Sequence, residues 1–208
     1  MELTNDFRVP VPVERAWAVL TDVELIAPCL PGAQLQEVEG DEYRGIVKVK
    51  VGPITAQYKG KATFLSQDAD AHVAVLRAEG RETRGQGNAS ATITATLSPD
   101  GAGTAVSVVT DLTITGKVAQ FGRGVLADVS AKLLDQFVEN LEATVLVDEG
   151  ASRAPAAEAG VRTIDSPEPE PVDLVDAAGA PVARRVAPVL AVIAIAWVLK
   201  KLLTRSKD

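Results

Sequence analysis

The sequence predicts an α+β fold in which an antiparallel sheet bends over one long helix near the end of the folded part, with two short helices near its start. Three observations predict it. Apolar residues alternate with period 2 through about eighty residues in the middle of the chain. From Lys117 to Val147 the period is helical: Val118, Phe121, Val125, Leu126, Val129, Leu133, Phe137, Leu141 and Val145 follow an almost continuous i, i+4 stripe. Finally, each alternating segment has one wet face and one apolar face, so the sheet needs a cover on one side, and the long helix is the element able to supply it.

Taken in order, Leu3, Asn5, Phe7 and Val9 share one alternation, and Leu3 with Phe7 marks a first strand that Pro10 and Pro12 end. VERAWAVLTDV reads as a short helix with Ala16, Val19 and Leu20 on one side and Trp17 at its edge. Asp22 caps a second short helix over about 23–27, which CLPGA stops through Pro31 and Gly32. YRGIVKVKVGPITAQYKGKATFL then carries two strands, about 42–51 and 54–66, joined at Gly52 and Pro53. Tyr43, Val47, Val49 and Val51 oppose Arg44, Lys48 and Lys50, along with Ile46, on the first; Ala56, Tyr58, Ala62 and Phe64 oppose Gln57, Lys59, Lys61 and Thr63 on the second.

Further strands fall at about 71–80, 84–98 and 103–115, the last two separated by the turn SPDGAG. NASATITATL alternates small residues with hydroxyls, which suits a sheet but specifies packing weakly. Gly116 permits the turn from strand to helix, while Gly122 and Gly124 equally suit close backbone approach or room for a ligand or partner. The space between such a sheet and its helix is either a cavity lined by aliphatic and aromatic groups or a filled core; the pattern allows both.

Charge and composition divide the chain into parts. Residues 1–147, the patterned body, carry 19 acids and 13 bases; residues 148–181 carry 8 and 2 in a Pro/Ala-rich stretch with too little bulky apolar surface to offset ordering, and are expected to be a disordered linker. Residues 182–208 carry 1 and 6. Within them Val186 to Leu199 is uninterruptedly apolar, 14 residues or ~21 Å as a helix, short of a ~30 Å hydrocarbon core. Counting 182–203 lengthens it to ~33 Å, with Arg184, Arg185, Lys200 and Lys201 at its two ends. A surface helix needs a polar face that 186–199 lacks, and a helix packed on its own domain would have to follow the long polar linker. The expectation is a membrane-anchoring helix over 182–204, anchored through Val186, Leu190, Ile193, Trp197 and Leu199, followed by a basic end at 205–208.

Several classes of function are disfavoured. The acidic body argues against nucleic-acid binding, which needs clustered Lys or Arg. A single cysteine, Cys29, allows no intrachain disulfide, and MELTNDFRVP lacks the basic region and apolar run of a signal peptide, so a cytosolic body is expected. The one histidine, His72, has no second histidine to share a metal and reads as an exposed strand residue. Cys29 reads as a small buried apolar residue or, with Leu30, as part of a cavity mouth. No acid and base pair for catalysis is evident, and an enzyme is not expected.

Three segments together resemble a known family. CLPGA after the short helices, VKVKVGPITAQYKGKA across the hairpin, and ITGKVAQFGRGVLADVSAKLLDQFVENL into the last helix are similar to the CoxG-like family of carbon monoxide dehydrogenase subunits, within the SRPBCC or START-like superfamily, over about residues 3–146. The matching positions are Cys29, Pro31, Gly32, Gly52, Pro53, Gly60, Gly116, Lys117, Gln120 and Phe121, none with a catalytic role to carry over. One departure is Phe137 followed by Val138, where a more aromatic pair is expected. The resemblance implies a helix-grip fold, with seven antiparallel strands wrapped around the C-terminal helix, two short helices closing one end, and an apolar cavity.

It also implies an accessory role beside a carbon monoxide dehydrogenase or related molybdenum hydroxylase. The expected function is a membrane-tethered protein, at the cytoplasmic side of the cell membrane, that binds menaquinone or ubiquinone non-covalently and couples the enzyme to the respiratory quinone pool. Membrane lipid and the isoprenoid quinone are then its other partners, and no covalent cofactor or metal is expected. Trp17, Tyr43, Val47, Tyr58, Phe64, Phe121, Val125, Val129 and Phe137 are the expected cavity lining, if Tyr43 marks the inward face. The alternatives are a membrane docking scaffold without a small-molecule ligand and an assembly factor.

Overall fold

The alternation of the first segment becomes strand β1 (Glu2–Val9), which the two prolines end. Helix α1 (Val13–Leu20) buries Val13, Ala16 and Val19. Helix α2 (Val23–Ile26) starts at Asp22, whose carboxylate accepts the Leu25 N–H at 3.1 Å and so satisfies one donor of the first turn. A 3₁₀ turn (Ala27–Cys29) leads into β2 (Ala33–Glu39). Strands β3 (Glu42–Val51), β4 (Ile54–Asp68), β5 (Val73–Glu82), β6 (Asn88–Asp100) and β7 (Gly103–Ile114) follow as a meander, and β1 crosses to pair with β7. A second 3₁₀ turn (Val118–Phe121) precedes helix α3 (Gly122–Leu141), and a single π turn (Glu142–Leu146) ends it. Gly116 and Gly122 have φ of +86° and +75°, the left-handed values that only a residue without a Cβ adopts freely at the two bends into α3.

The computed structural model describes residues 1–51, 54–85, 87–146, 162–164 and 172–173. Its seven long strands, all antiparallel in the order β1-β7-β6-β5-β4-β3-β2, curve around α3 with the two short helices beside it, which is the helix-grip arrangement. The strand that alternation does not reveal is β2. Its register shifts between Leu35 and Glu37, and this irregularity puts Leu35 and Val38 three residues apart instead of two. Two short pieces extend the sheet: β8 (Arg162–Thr163) pairs with β2, and β9 (Val172–Asp173) runs parallel to the end of β3. Arg162 also forms an ion pair with Glu24 of α2. Both pieces fall inside the expected linker 148–181, of which only 162–164 and 172–173 are described; the Gly52–Pro53 turn also lies outside the described residues.

The core has two centres. The larger joins Val9, Val13, Val19, Cys29, Val106 and Phe137 to Leu141, which is 0% exposed. It is pinned by an edge-to-face contact of Phe7 with Phe137, centroids 6.3 Å apart, and by a hydrogen bond from Asn5 Nδ2 to Ser130 Oγ of 2.9 Å. The smaller gathers Ala56, Val118 and Leu126, with Val49, Tyr58, Ile114 and Phe121 packed against them.

The membrane-anchoring helix is an expectation that needs correction. Among the described residues no helix is long and apolar enough to cross a membrane. The longest, α3, has 20 residues and carries Arg123, Asp128, Lys132, Asp135 and Glu139, charges that a hydrocarbon interior excludes. The segment 182–204, with Val186, Leu190, Ile193, Trp197 and Leu199, lies outside the described residues. The transmembrane helix, the tethered form of the function and the location at the cytoplasmic face of the cell membrane therefore form no part of the function proposed below.

Candidate functional site

Neither core centre covers the middle of the sheet. Strand register explains why. Gly45 of β3 pairs with Gly60 of β4, Gly60 with Gly80 of β5, and Gly80 with Ala89 of β6, so one row across four adjacent strands is almost free of side chains. The neighbouring row on the same face, Ala62, Ala78 and Ala91, is nearly as bare. Above these rows lies a cavity of about 330 Å³. Val23, Ala27 and Leu30 border it from the segment of α2 and the turn after it, and Leu35 and Val47 from β2 and β3. Leu112 of β7 stands at the opposite end.

The glycines in this row do different work. A Cβ on Gly45 would collide with the carbonyl oxygen of Gln34, and one on Gly60 with that of Glu79, so the tight coiling of β2 to β5 depends on their absence. A Cβ on Gly80 would meet the Tyr58 Cβ at 3.5 Å, the Lys59 carbonyl oxygen at 3.7 Å and the Gly60 Cα at 4.0 Å, all ordinary contacts. Gly80 is therefore dispensable to the backbone but keeps the space open.

Polar groups are sparse. Tyr43 stands on one side of the glycine row and Tyr58 on the other, both half-buried. Burial raises the Tyr43 hydroxyl pKa above its ordinary value, and the charges of Asp41, Asp22 and Glu24 add to this. Burial raises Tyr58 likewise, helped by Glu82. Both hydroxyls thus stay protonated as donors. Tyr43 is braced by an edge-to-face contact with Phe64, centroids 6.3 Å apart. Glu82, 9% exposed and in register with Tyr58, accepts the Arg84 N–H at 2.9 Å and lines a separate polar space of about 130 Å³ with Tyr58, Arg84 and Lys117. Lys61 and Glu79, whose residues also border the main cavity, send their side chains to the opposite face of the sheet, where they pair with Glu42 and Arg77. Among the described residues no group of three His, Cys, Asp or Glu is placed to hold a metal.

Of the lining expected from sequence, Tyr43, Val47 and Tyr58 border this cavity. The others are placed elsewhere. Trp17 packs at the edge of the larger core against the His72 ring, centroids 5.6 Å apart, and Phe137 is in that core. Phe121 packs in the smaller core, and Phe64 supports Tyr43 from the side. Val125 is 40% exposed on α3, and Val129 is half-buried one turn on. Leu30 is at the cavity and 40% exposed, whereas Cys29 is buried, with its Sγ 3.4 Å from Thr144 Oγ1 and its carbonyl accepting Asn140 Nδ2 at 3.0 Å. His72, expected on a strand, occupies the β4–β5 turn with φ of +51°. Sequence reasoning missed the small residues of the floor, Gly45, Gly60, Gly80, Ala78 and Ala91, and the aliphatic Val23, Leu35 and Leu112 around it.

Comparison with known proteins agrees with this architecture. The family described as the G subunit of carbon monoxide dehydrogenase (CoxG) matches residues 6–146. No curated protein sequence matches significantly. Among solved structures, a conserved protein from Geobacillus kaustophilus superposes with a TM-score of 0.61 at 19% identity, covering 69% of this chain and 93% of its own. TTHA0849 from Thermus thermophilus superposes with a TM-score of 0.51 at 17% identity, covering 70% and 99%. At such identities these likenesses establish the fold.

Proposed function

The chain belongs to the CoxG family of carbon monoxide dehydrogenase subunits, and from that premise we propose that it is a non-enzymatic accessory protein of a carbon monoxide dehydrogenase or related molybdenum hydroxylase. It carries a lipophilic quinone, menaquinone or ubiquinone, in its cavity and presents it to the enzyme as electron acceptor. The observation that supports this reading is the apolar space over the glycine row. At about 330 Å³ it is within the ~300–1,000 Å³ typical of small-molecule sites, enough for a ring and the first part of an isoprenoid chain.

The physical need is plain. An isoprenoid tail exposed to water costs ~25 cal/mol per Å² of apolar surface, and a cavity without charged lining side chains removes that cost. Two electrons from the enzyme and two protons from solvent convert the quinone to its quinol; that redox chemistry belongs to the quinone, and this chain's part is shielding and orientation. The test is to purify the protein from quinone-producing cells, extract it with organic solvent and analyse the extract by mass spectrometry. About one quinone per chain is expected on this reading. An extract without quinone, together with no change in tryptophan fluorescence on titration with menaquinone or ubiquinone, overturns it.

A further inference from the structure

The cavity has a direction. Its floor crosses the strands, from β3 through β4 and β5 to β6, so its three strand spacings of roughly 4.8 Å make it ~14 Å long. The end at β3 is the open one: Leu30 and Val47, both in its lining, are each 40% exposed. Tyr43 and Tyr58, on the two strands of the floor nearest this end, border the cavity from opposite sides of the glycine row, and neither hydroxyl has a hydrogen-bond partner among the described residues. The far end is bordered by Ala89, Ala91 and Leu112, which offer no side-chain donor or acceptor. Ser90, between the two alanines, alternates to the other face, in register with Glu79 and Thr113.

Resting on the quinone reading above, we propose that the ligand enters tail first: its isoprenoid chain lies along the glycine and alanine floor toward Ala91 and Leu112, and its dicarbonyl ring stays at the open end between Tyr43 and Tyr58. A carbonyl taken to the far end loses its hydrogen bonds to water and gains none, whereas at the open end a phenolic O–H meets each of the two ring oxygens. The tail has the opposite preference, since it gains most where no polar side chain interrupts the floor. The same orientation leaves the ring, the part that accepts electrons, nearest to a docked enzyme.

Two probes separate the ends: menaquinone-4, with ring and tail, and menadione, the ring with only a methyl group. Ala91→Leu fills the far end, and Tyr43→Phe and Tyr58→Phe each remove one donor at the open end; thermal melts establish that each variant is folded. For the tail-first orientation, Ala91→Leu weakens menaquinone-4 by more than about tenfold and leaves menadione within about twofold, and each Tyr→Phe change weakens both probes by about fivefold. The orientation is wrong if Ala91→Leu weakens menadione as much as menaquinone-4 while both Tyr→Phe variants bind like the unmodified chain. Absence of binding of either probe to the unmodified chain is a different result, and it removes the quinone reading together with the orientation.

Discussion

Gly80→Leu tests the cavity without touching the scaffold. The position has no left-handed φ, and the new Cβ would sit 3.5 Å from that of Tyr58, so the backbone need not move. A glycine within a strand costs roughly 0.5–1 kcal/mol relative to a residue with a side chain, so the unliganded protein should melt at the same temperature or about 2 °C higher. Binding responds in the opposite sense. Leucine brings four carbons into a space of about 330 Å³ and displaces about the same number of ligand carbons. At ~0.8 kcal/mol per methylene the loss is ~3 kcal/mol, or ~10²-fold in Kd. Calorimetric titration with menaquinone-4, beside a thermal melt, reads both quantities. A folded variant whose affinity falls less than about threefold shows that the ligand does not occupy the glycine row.

Other positions separate the roles further. Gly60→Ala should lower the urea midpoint, by ~1–3 kcal/mol of stability, because its Cβ meets the Glu79 carbonyl oxygen and the β4–β5 pairing must yield; an unchanged midpoint would mean that the sheet is less tightly coiled there. Phe137→Ala removes the partner of Phe7 from the larger core and should cost ~3–5 kcal/mol in the same assay while leaving the residues that line the cavity in place. The tyrosines set an alkaline limit. Their folded pKa values are raised above 10.0, so the unfolded chain releases these protons first as pH rises; stability is full below the unfolded value and is lost as pH climbs through the folded one. Denaturation followed from pH 8 to 11 should show this fall, and Tyr43→Phe with Tyr58→Phe should flatten it.

Much of the scaffold is legible in the sequence because its signals are local. Leu3 and Phe7 mark β1 by period, Asp22 marks the start of α2 by its side chain, and the lysines of YKGK and VKVK identify the wet face of the hairpin. Where a signal depends on packing, the reading drifts or fails. The strands expected at 71–80 and 84–98 are Val73–Glu82 and Asn88–Asp100, and β2 escapes because its register shift breaks the alternation. Some of the large residues expected in the lining lie elsewhere for a related reason. Trp17 and Phe137 bury most area when they touch other side chains, so they fill cores, while the open space lies where side chains are missing.

The bare row was half within reach. With a two-residue turn at Gly52 and Pro53, partners across the hairpin are equidistant from it; Gly45 is seven residues before Gly52 and Gly60 seven after Pro53, so the two must face each other, as they do. Gly80 is hidden by the next connection. Near the β4–β5 turn Asp68 pairs with Val73 and Ser66 with Val75, and if that register continued Gly60 would oppose Arg81 and Gly80 would oppose Lys61. Instead the register shifts between Phe64 and Ser66, leaving Leu65 unpaired and 58% exposed, and beyond it Gly60 meets Gly80. A one-residue slip changes which face every side chain takes, so this single bulge decides whether the third glycine joins the floor. Alternation across YKGKATFLSQD gives no sign of it, because TFLS reads equally well with or without an extra residue. The ligand space therefore depends on an irregularity that only the folded sheet reveals.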